Sequence, residues 1–344
     1  MSKEITIYDL AKALDLSAAT VSRGLKEKGS VNRKTTERIL TMAAAMGYRP
    51  NNFASNLRNM KTQTVGIIIP RLNSHFMSSA IAGMEIVASK ENYKLIIAQS
   101  LESFEKEKDN VRMMYNNRVD GLLISLAYDT KNILHLQPFL SKKIPVVFFD
   151  RAFATNENTS VVIDNYQAAY KVTAHLLEQG CKRIMHIGGN MLRDVYANRL
   201  KGYKDALEEY NIPFNPDLLY VCNLTEEAGV EAAEYILSLK KSKRPDGVFS
   251  ANDTAAVHCM LRLKENGINI PGEIAFAGFN NDPISKVIVP NLTTINYSGY
   301  NIGKEAATII LNNIKGENTS PAAKTIILQS ELIIRNSSLH SNST

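Results

Sequence analysis

Hydrophobic positions in the first fifty residues recur at helical spacing and are cut into three short blocks by capping residues. Thr6 precedes Ile7, Leu10, Ala11 and Leu14, the i, i+3, i+4, i+7 stripe of an amphipathic helix, and Asp9 follows it by three, as a reciprocal cap requires. Ser17 caps a second helix that runs to about Leu25, leaving only Asp15 and Leu16 as a connection. Asn32 caps a third, whose buried stripe of Ile39, Met42, Ala43 and Met46 ends at Gly47, with Pro50 beyond it. From Val65 the pattern changes. Apolar runs at 65–69, 95–98, 121–124 and 146–149 alternate with amphipathic stretches at 78–92, 105–117 and 132–140, which is how buried parallel strands and their crossover helices look. A second series, at 161–163, 183–187, 218–221, 247–250 and 274–278, repeats the alternation. The expected architecture is a small all-helical unit followed by two doubly wound α/β lobes.

A chain of 344 residues, 44% of them hydrophobic, is too long for one core to serve, which agrees with several domains. Its formal net charge of +6 lies entirely within residues 1–61, and the remainder is neutral. Concentrated positive charge is what a polyphosphate partner requires, because each neutralised phosphate releases condensed counterions. Three scattered cysteines, Cys181, Cys222 and Cys259, form neither a disulfide framework nor a zinc motif, so a reducing compartment is expected and no metal or cofactor is. The start of the sequence lacks a secretion signal, and no apolar run approaches eighteen residues. A cytoplasmic location is the expectation.

Two helices joined by a tight turn, the second exposing small and hydrogen-bonding side chains beside an arginine, describe a helix-turn-helix. Thr6-Ile-Tyr-Asp-Leu-Ala, Ser17-Ala-Ala-Thr-Val-Ser-Arg23, Gly47-Tyr-Arg-Pro-Asn51 and Ala54-Ser-Asn-Leu57, in this order and spacing, closely resemble the head-piece of the LacI/GalR family of transcriptional regulators. The resemblance implies that the second helix enters the major groove of an operator. Ala18 and Ala19 would hold the positions that set operator preference, and Arg23 would reach a guanine edge. Thr20, Ser22 and Asn32 would contact phosphates, and Thr6, Ser17, Tyr48, Asn51 and Ala54 complete the expected DNA-contacting set. Residues 51–59 resemble the family's hinge helix, with Leu57 as a wedge in the minor groove and Arg58 beside it. One departure is Asp15, where the family's turn often carries Gly; Asp tolerates the left-handed backbone a turn needs there.

The resemblance extends through Phe149-Asp-Arg151, Arg199-Leu-Lys-Gly202, Ala251-Asn-Asp253, Gly278-Phe279 and Leu292-Thr-Thr-Ile295, nearly the whole chain. It implies a periplasmic-binding-protein-like domain of two lobes with an effector, commonly a sugar, in the cleft. Ligands of open α/β sheets gather beyond the carboxyl ends of strands. The polar residues there are Asn73, His75 and Phe76, Asp150 and Arg151, Asp164 and Asn165, Asn252 and Asp253, and Asn280, Asn281 and Asp282, with Arg199 on a following helix completing the set. Carboxylates, amides and an arginine fork satisfy ring hydroxyls, and Phe76 offers an apolar face. Asn280 stands where relatives usually have an Asp, and losing that carboxylate beside Arg199 favours an acidic or phosphorylated sugar.

The expected domains are a helix-turn-helix at 1–50, a hinge and linker at 51–61, and an effector domain at 62–344. Within the last, the first lobe takes 62–162 and 292–322, the second takes 163–291 and 323–335, and 336–344 form a disordered polar tail. The tail lacks the leucine heptad that makes tetramers in some relatives, so a homodimer is expected, one head-piece reading each half of a pseudo-palindrome. Two other classes compete. No GxSxG, GxxxxGK[ST], HExxH or GxGxxG motif supports an enzyme. A solute-binding transport protein would share the lobes but would have no use for residues 17–23.

Overall fold

The computed structural model describes residues 5–26, 31–48, 62–153, 158–317 and 324–339, which fall into two compact units, 1–62 and 63–344. In the first unit, α1 (Ile7–Leu14), α2 (Ala18–Lys26) and α3 (Arg33–Met46) enclose a small core of Leu10, Leu14, Val21, Ile39 and Ala43. The caps are those expected. The Thr6 side chain accepts from the Asp9 amide while Asp9 accepts from the Thr6 amide, Ser17 Oγ accepts from the Thr20 amide at 3.1 Å, and Asn32 accepts from the Lys34 amide. Asp15 and Gly47 take left-handed conformations at the ends of α1 and α3. Close approach of α2 and α3 depends on Gly24, where a Cβ would lie 2.5 Å from Ile39 Cδ1.

The second unit is built on two six-stranded sheets. Its elements are β1 (Thr64–Ile69), α4 (His75–Lys90), β2 (Lys94–Gln99), α5 (Phe104–Asn116), β3 (Gly121–Ile124), α6 (Gln137–Ser141), β4 (Val146–Phe149) and β5 (Thr159–Ile163). There follow α7 (Asn165–Glu178), β6 (Ile184–Gly188), α8 (Asp194–Glu209), β7 (Leu219–Val221), α9 (Glu226–Ser238), β8 (Gly247–Ser250) and α10 (Asp253–Glu265). The chain closes with β9 (Ala275–Phe279), α11 (Ile284–Val287), β10 (Thr293–Asn296), α12 (Gly299–Lys315), β11 (Thr325–Leu328) and β12 (Glu331–Ile333). The first sheet has the order β11-β5-β4-β3-β1-β2 and is all parallel; the second has the order β12-β10-β9-β8-β6-β7, with β12 antiparallel to β10. Helix α12 lies against α4 so closely that a Cβ at Gly83 or Gly303 would run into the carbonyl oxygen of Tyr300 or Ala80.

The chain therefore crosses between lobes three times, after β5, after β10 and after β11. This corrects the second series of apolar runs and two expected boundaries. Strand β5, containing 161–163, heads that series but pairs with β4 in the first sheet, on the side of 162 where the first lobe was expected. Strand β10 belongs to the second lobe although 292–322 was expected in the first, and β11 belongs to the first although 323–335 was expected in the second. Alternation of apolar residues identifies a strand but not its neighbour, which is set by pairing with distant segments.

The tail also differs from expectation over its described part. Ser337 and Ser338 are fully buried. Ser337 Oγ donates to the Phe276 carbonyl at 2.6 Å and accepts from the Thr293 amide, and Ser338 Oγ lies 2.6 Å from Thr293 Oγ1 and 2.7 Å from His175 Nε2. The Ser337 hydroxyl serves backbone groups of β9 and β10 and the Ser338 hydroxyl serves the buried Thr293 and His175 side chains, a stronger constraint than polar composition.

Candidate functional site

Between the lobes, the expected effector residues separate into three groups. The first is buried and closed. Asp150, at the end of β4, receives hydrogen bonds from Tyr297 Oη at 3.0 Å and Ser125 Oγ at 3.4 Å, and burial pushes its pKa up against the pull of Arg151 and Arg199. Arg151 donates to Glu102 Oε2 at 2.8 Å and, across the cleft, to Tyr196 Oη on α8 at 3.0 Å, while its guanidinium lies over the Tyr128 ring at 4.4 Å. The Tyr128 and Tyr196 hydroxyls are 3.3 Å apart, and Arg193 donates to the Thr130 carbonyl. Arg199 stacks on Phe279 at 3.6 Å and donates to Asn165 Oδ1 at 2.9 Å and the Ala251 carbonyl at 2.7 Å. This end of the cleft is filled by the protein's own side chains: Arg151, Tyr128, Tyr196 and Arg193 join one lobe to the other, and Arg199 is held within the second.

The second group lines an open pocket. His75 and Phe76, in the first turn of α4, meet Asn280 with Asn281, Asp282, Asn296 and Ser298 around a cavity of ≈ 190 Å³. The Phe76 ring lies 4.5 Å from that of Tyr297, so Tyr297 links the pocket to Asp150. Asn280 and Asn281 both have positive φ, 109° and 57°, an uncommon pair that turns the chain after β9 into the cavity. Asp282 is 7% exposed, and burial raises its pKa from 3.8 to about 6, with His75 and the Asn280 side chain opposing. A larger groove of ≈ 380 Å³ lies along the crossovers, lined by Ile163, Tyr297, Ser298, Lys304, Leu328 and Gln329 among others.

The third group serves the fold. Asp164 caps α7 by accepting from the Gln167 amide at 2.9 Å, and Asn252 caps α10 while donating to the Leu224 carbonyl. Asp253 is fully buried, accepting from the Asp282 amide at 2.7 Å and Thr294 Oγ1 at 2.6 Å, and Gly278 leaves the room it needs. Asn73 is exposed.

In the first unit, α2 presents Ala19 and Arg23 to solvent, with Ala18, Thr20 and Ser22 half-buried. Thr6, Ser17 and Asn32 are exposed helix caps, so each hydroxyl or amide already holds one backbone group. Tyr48 is half-buried against the core. Asn51, Ala54, Leu57 and Arg58 lie outside the described residues.

Residues 6–51 match the signature of bacterial regulatory proteins of the lacI family, and residues 173–338 match that of a periplasmic binding protein-like domain. Catabolite control protein A of Priestia megaterium is 30% identical over 91% of this chain and 93% of its own length. The chain belongs to the LacI family of bacterial regulatory proteins. The transcriptional repressor PurR of Vibrio campbellii is 29% identical over 96% of this chain and 98% of its own. The lac repressor dimer bound to operator and the anti-inducer ONPF shares the fold, with a TM-score of 0.84, 22% identity and coverage of 98% and 100%. As a LacI-family member this protein is a DNA-binding transcriptional regulator and not an enzyme. Among its described residues no helix is long and apolar enough to cross a membrane.

For this LacI-family chain, sequence reasoning placed Asn165 beyond a strand end but missed other partners that close the cleft: Glu102, Tyr128, Tyr196 and Tyr297. They come from four separate segments, and no local pattern marks them. Asp282 was legible, since Asn280-Asn-Asp282 is contiguous polar sequence after a strand. Asp282 also lines the pocket two residues beyond Asn280, while Arg199 is engaged by Asn165 and Ala251.

Proposed function

We propose that this protein is a cytoplasmic repressor that binds a pseudo-palindromic operator as a homodimer and is controlled by a small, neutral, sugar-like effector held between its lobes. The observation that carries the effector reading is the pocket beside Phe76. One carboxylate, Asp282, and three amides, Asn280, Asn281 and Asn296, face an aromatic ring, the combination that takes up ring hydroxyls on one side and a sugar's C–H face on the other. His75, Phe76 and Asn280 contact the effector directly in this reading, Asp150 and Arg151 hold the lobes around it, and Arg199 braces the second lobe behind them.

The dimer is supported by apolar side chains left exposed on both lobes. Edge strand β2 leaves Ile97 41% exposed with Leu72 and Leu101 nearby, and the second lobe exposes Val221 on edge strand β7 and Val287 and Val289 around α11. Such apolar surface on sheet edges calls for a covering partner. On DNA, Arg23 reads a base edge and Ala18 and Ala19 make apolar contacts from α2, while Leu57 wedges the minor groove. An effector that prefers one arrangement of the lobes shifts the regulator toward or away from its operator-binding state. A coupling of roughly 1 to 3 kcal/mol changes operator affinity about 5- to 150-fold.

Selection of binding sites from random duplex DNA, at fixed salt and with panels of neutral and acidic sugars, tests the whole reading. The expected outcome is a pseudo-palindrome whose recovery changes with one neutral sugar. A response to acidic sugars alone would refute the neutral effector, and absence of any enriched site would refute the operator.

A further inference from the structure

We propose that Arg335, outside the cleft in the C-terminal segment, is the positioning residue that shapes the effector pocket; the inference rests on the reading of that pocket given above. Arg335 Nη2 donates to Asn281 Oδ1 at 2.6 Å, and Asn281 Nδ2 donates in turn to Asn296 Oδ1 at 3.2 Å. Both amides line the cavity. The other nitrogen of the fork, Nη1, donates to Ser285 Oγ at 3.0 Å and the Leu292 carbonyl at 2.7 Å, and Ser285 Oγ donates to the Asp282 carbonyl at 2.6 Å.

One planar guanidinium thus holds both ends of the Asn281-Asp282 turn, at the first residue through its side chain and at the second through Ser285. The turn needs such an anchor, because Asn280 and Asn281 both occupy a disfavoured backbone region that persists only when the surroundings over-determine it. The anchor is itself fixed. The Arg335 amide donates to Thr293 Oγ1 at 2.8 Å, Thr293 Oγ1 donates to the Arg335 carbonyl, and the buried Ser337 and Ser338 tie the same segment to β9 and β10. A lysine carries the charge but lacks the fork, so it serves one branch and releases the other. By orienting the Asn281 amide, Arg335 decides whether Asn296 presents an acceptor or a donor to a sugar hydroxyl, and thereby which hydroxyl pattern fits.

The test uses full-length protein labelled with nitrogen isotope at asparagine, with the side-chain amide signals of Asn281 and Asn296 assigned by replacing each residue. Calorimetry with D-glucose, D-galactose, D-ribose and cellobiose runs in parallel. Arg335→Lys is expected to shift both amide signals and to weaken the preferred sugar about five- to tenfold, and Arg335→Lys with Asn281→Ala to bind no worse than Asn281→Ala alone. Unchanged amide signals in Arg335→Lys would overturn the proposal, as would losses in affinity that simply multiply in the double variant. Shifted amide signals in a protein that binds none of the four sugars would leave Arg335 as the anchor of the turn and overturn the sugar reading of the pocket instead.

Discussion

The two ends of the interlobe cleft use the same kinds of residue to opposite effect. At the closed end, Asp150, Arg151 and Arg199 spend their hydrogen-bonding capacity on Tyr297, Ser125, Glu102, Tyr196, Asn165 and the Ala251 carbonyl. At the open end, Asp282 and the amides around it face a cavity with one side still available. A charged residue beyond a strand is therefore not a ligand contact by virtue of its type. Its bonds to the protein decide whether it holds the lobes or meets an effector.

The largest expected effect falls on the closed end. Arg199→Ala removes two charge-assisted hydrogen bonds and leaves Asn165 Oδ1 and the Ala251 carbonyl buried, so urea unfolding should show a loss of about 3 kcal/mol, whereas Asn280→Ala at the open end should stay within about 1 kcal/mol. Equal losses would erase the distinction between the two ends. Next comes pH. Folded Asp282 keeps its proton up to about pH 6, whereas the unfolded chain releases it near 3.8, so this group's contribution to stability is complete below pH 3.8 and is lost as pH rises through 6. Burial also raises Asp194 to about 6, with the same sign. Asp282→Asn should then reduce the fall in stability between pH 4 and 6, read by thermal unfolding across that range, and an unaltered slope would place the carboxylate in solvent.

A smaller effect is expected from Tyr196→Phe. It deletes the hydroxyl shared by Arg151 and Tyr128 and should cost about 1 kcal/mol while loosening the lobes, visible as a larger radius of gyration in solution scattering. Thr6→Ala, in the first unit, should lower the stability of that unit by about 1 kcal/mol and leave sugar affinity unaltered, which makes it the control for the other three.

What could be read from the sequence depended on how far along the chain each interaction reaches. The caps at Thr6, Ser17 and Asn32 and the left-handed turn at Asp15 are decided within four residues, and they were legible. Most strands of the two sheets were legible too, because burial on both faces writes long apolar runs. The lobe assignment of β10 and β11 was not, since each is a short strand whose place depends on a neighbour at Ala277 or Ser160. Nor was the burial of Ser337 and Ser338, whose partners at Phe276, Thr293 and His175 lie at least 44 residues away. At the candidate site, residue type and position singled out Asp150, Arg151, Asn165 and Arg199 but not the partners that engage Arg151, because Glu102, Tyr128 and Tyr196 come from distant segments.

The triple crossing has a consequence for how the protein is made. The first sheet waits for β11 to supply its outer strand, and the second waits for β12 and for the two buried serines after it. As the chain leaves the ribosome from its N-terminus, neither lobe has its full complement of strands until residues 325–333 have emerged. A message truncated after α12 would release a chain whose two sheets each lack one of six strands and show an unpaired edge to chaperones and proteases, so the cell's quality control would read residues 325–338 before any operator did.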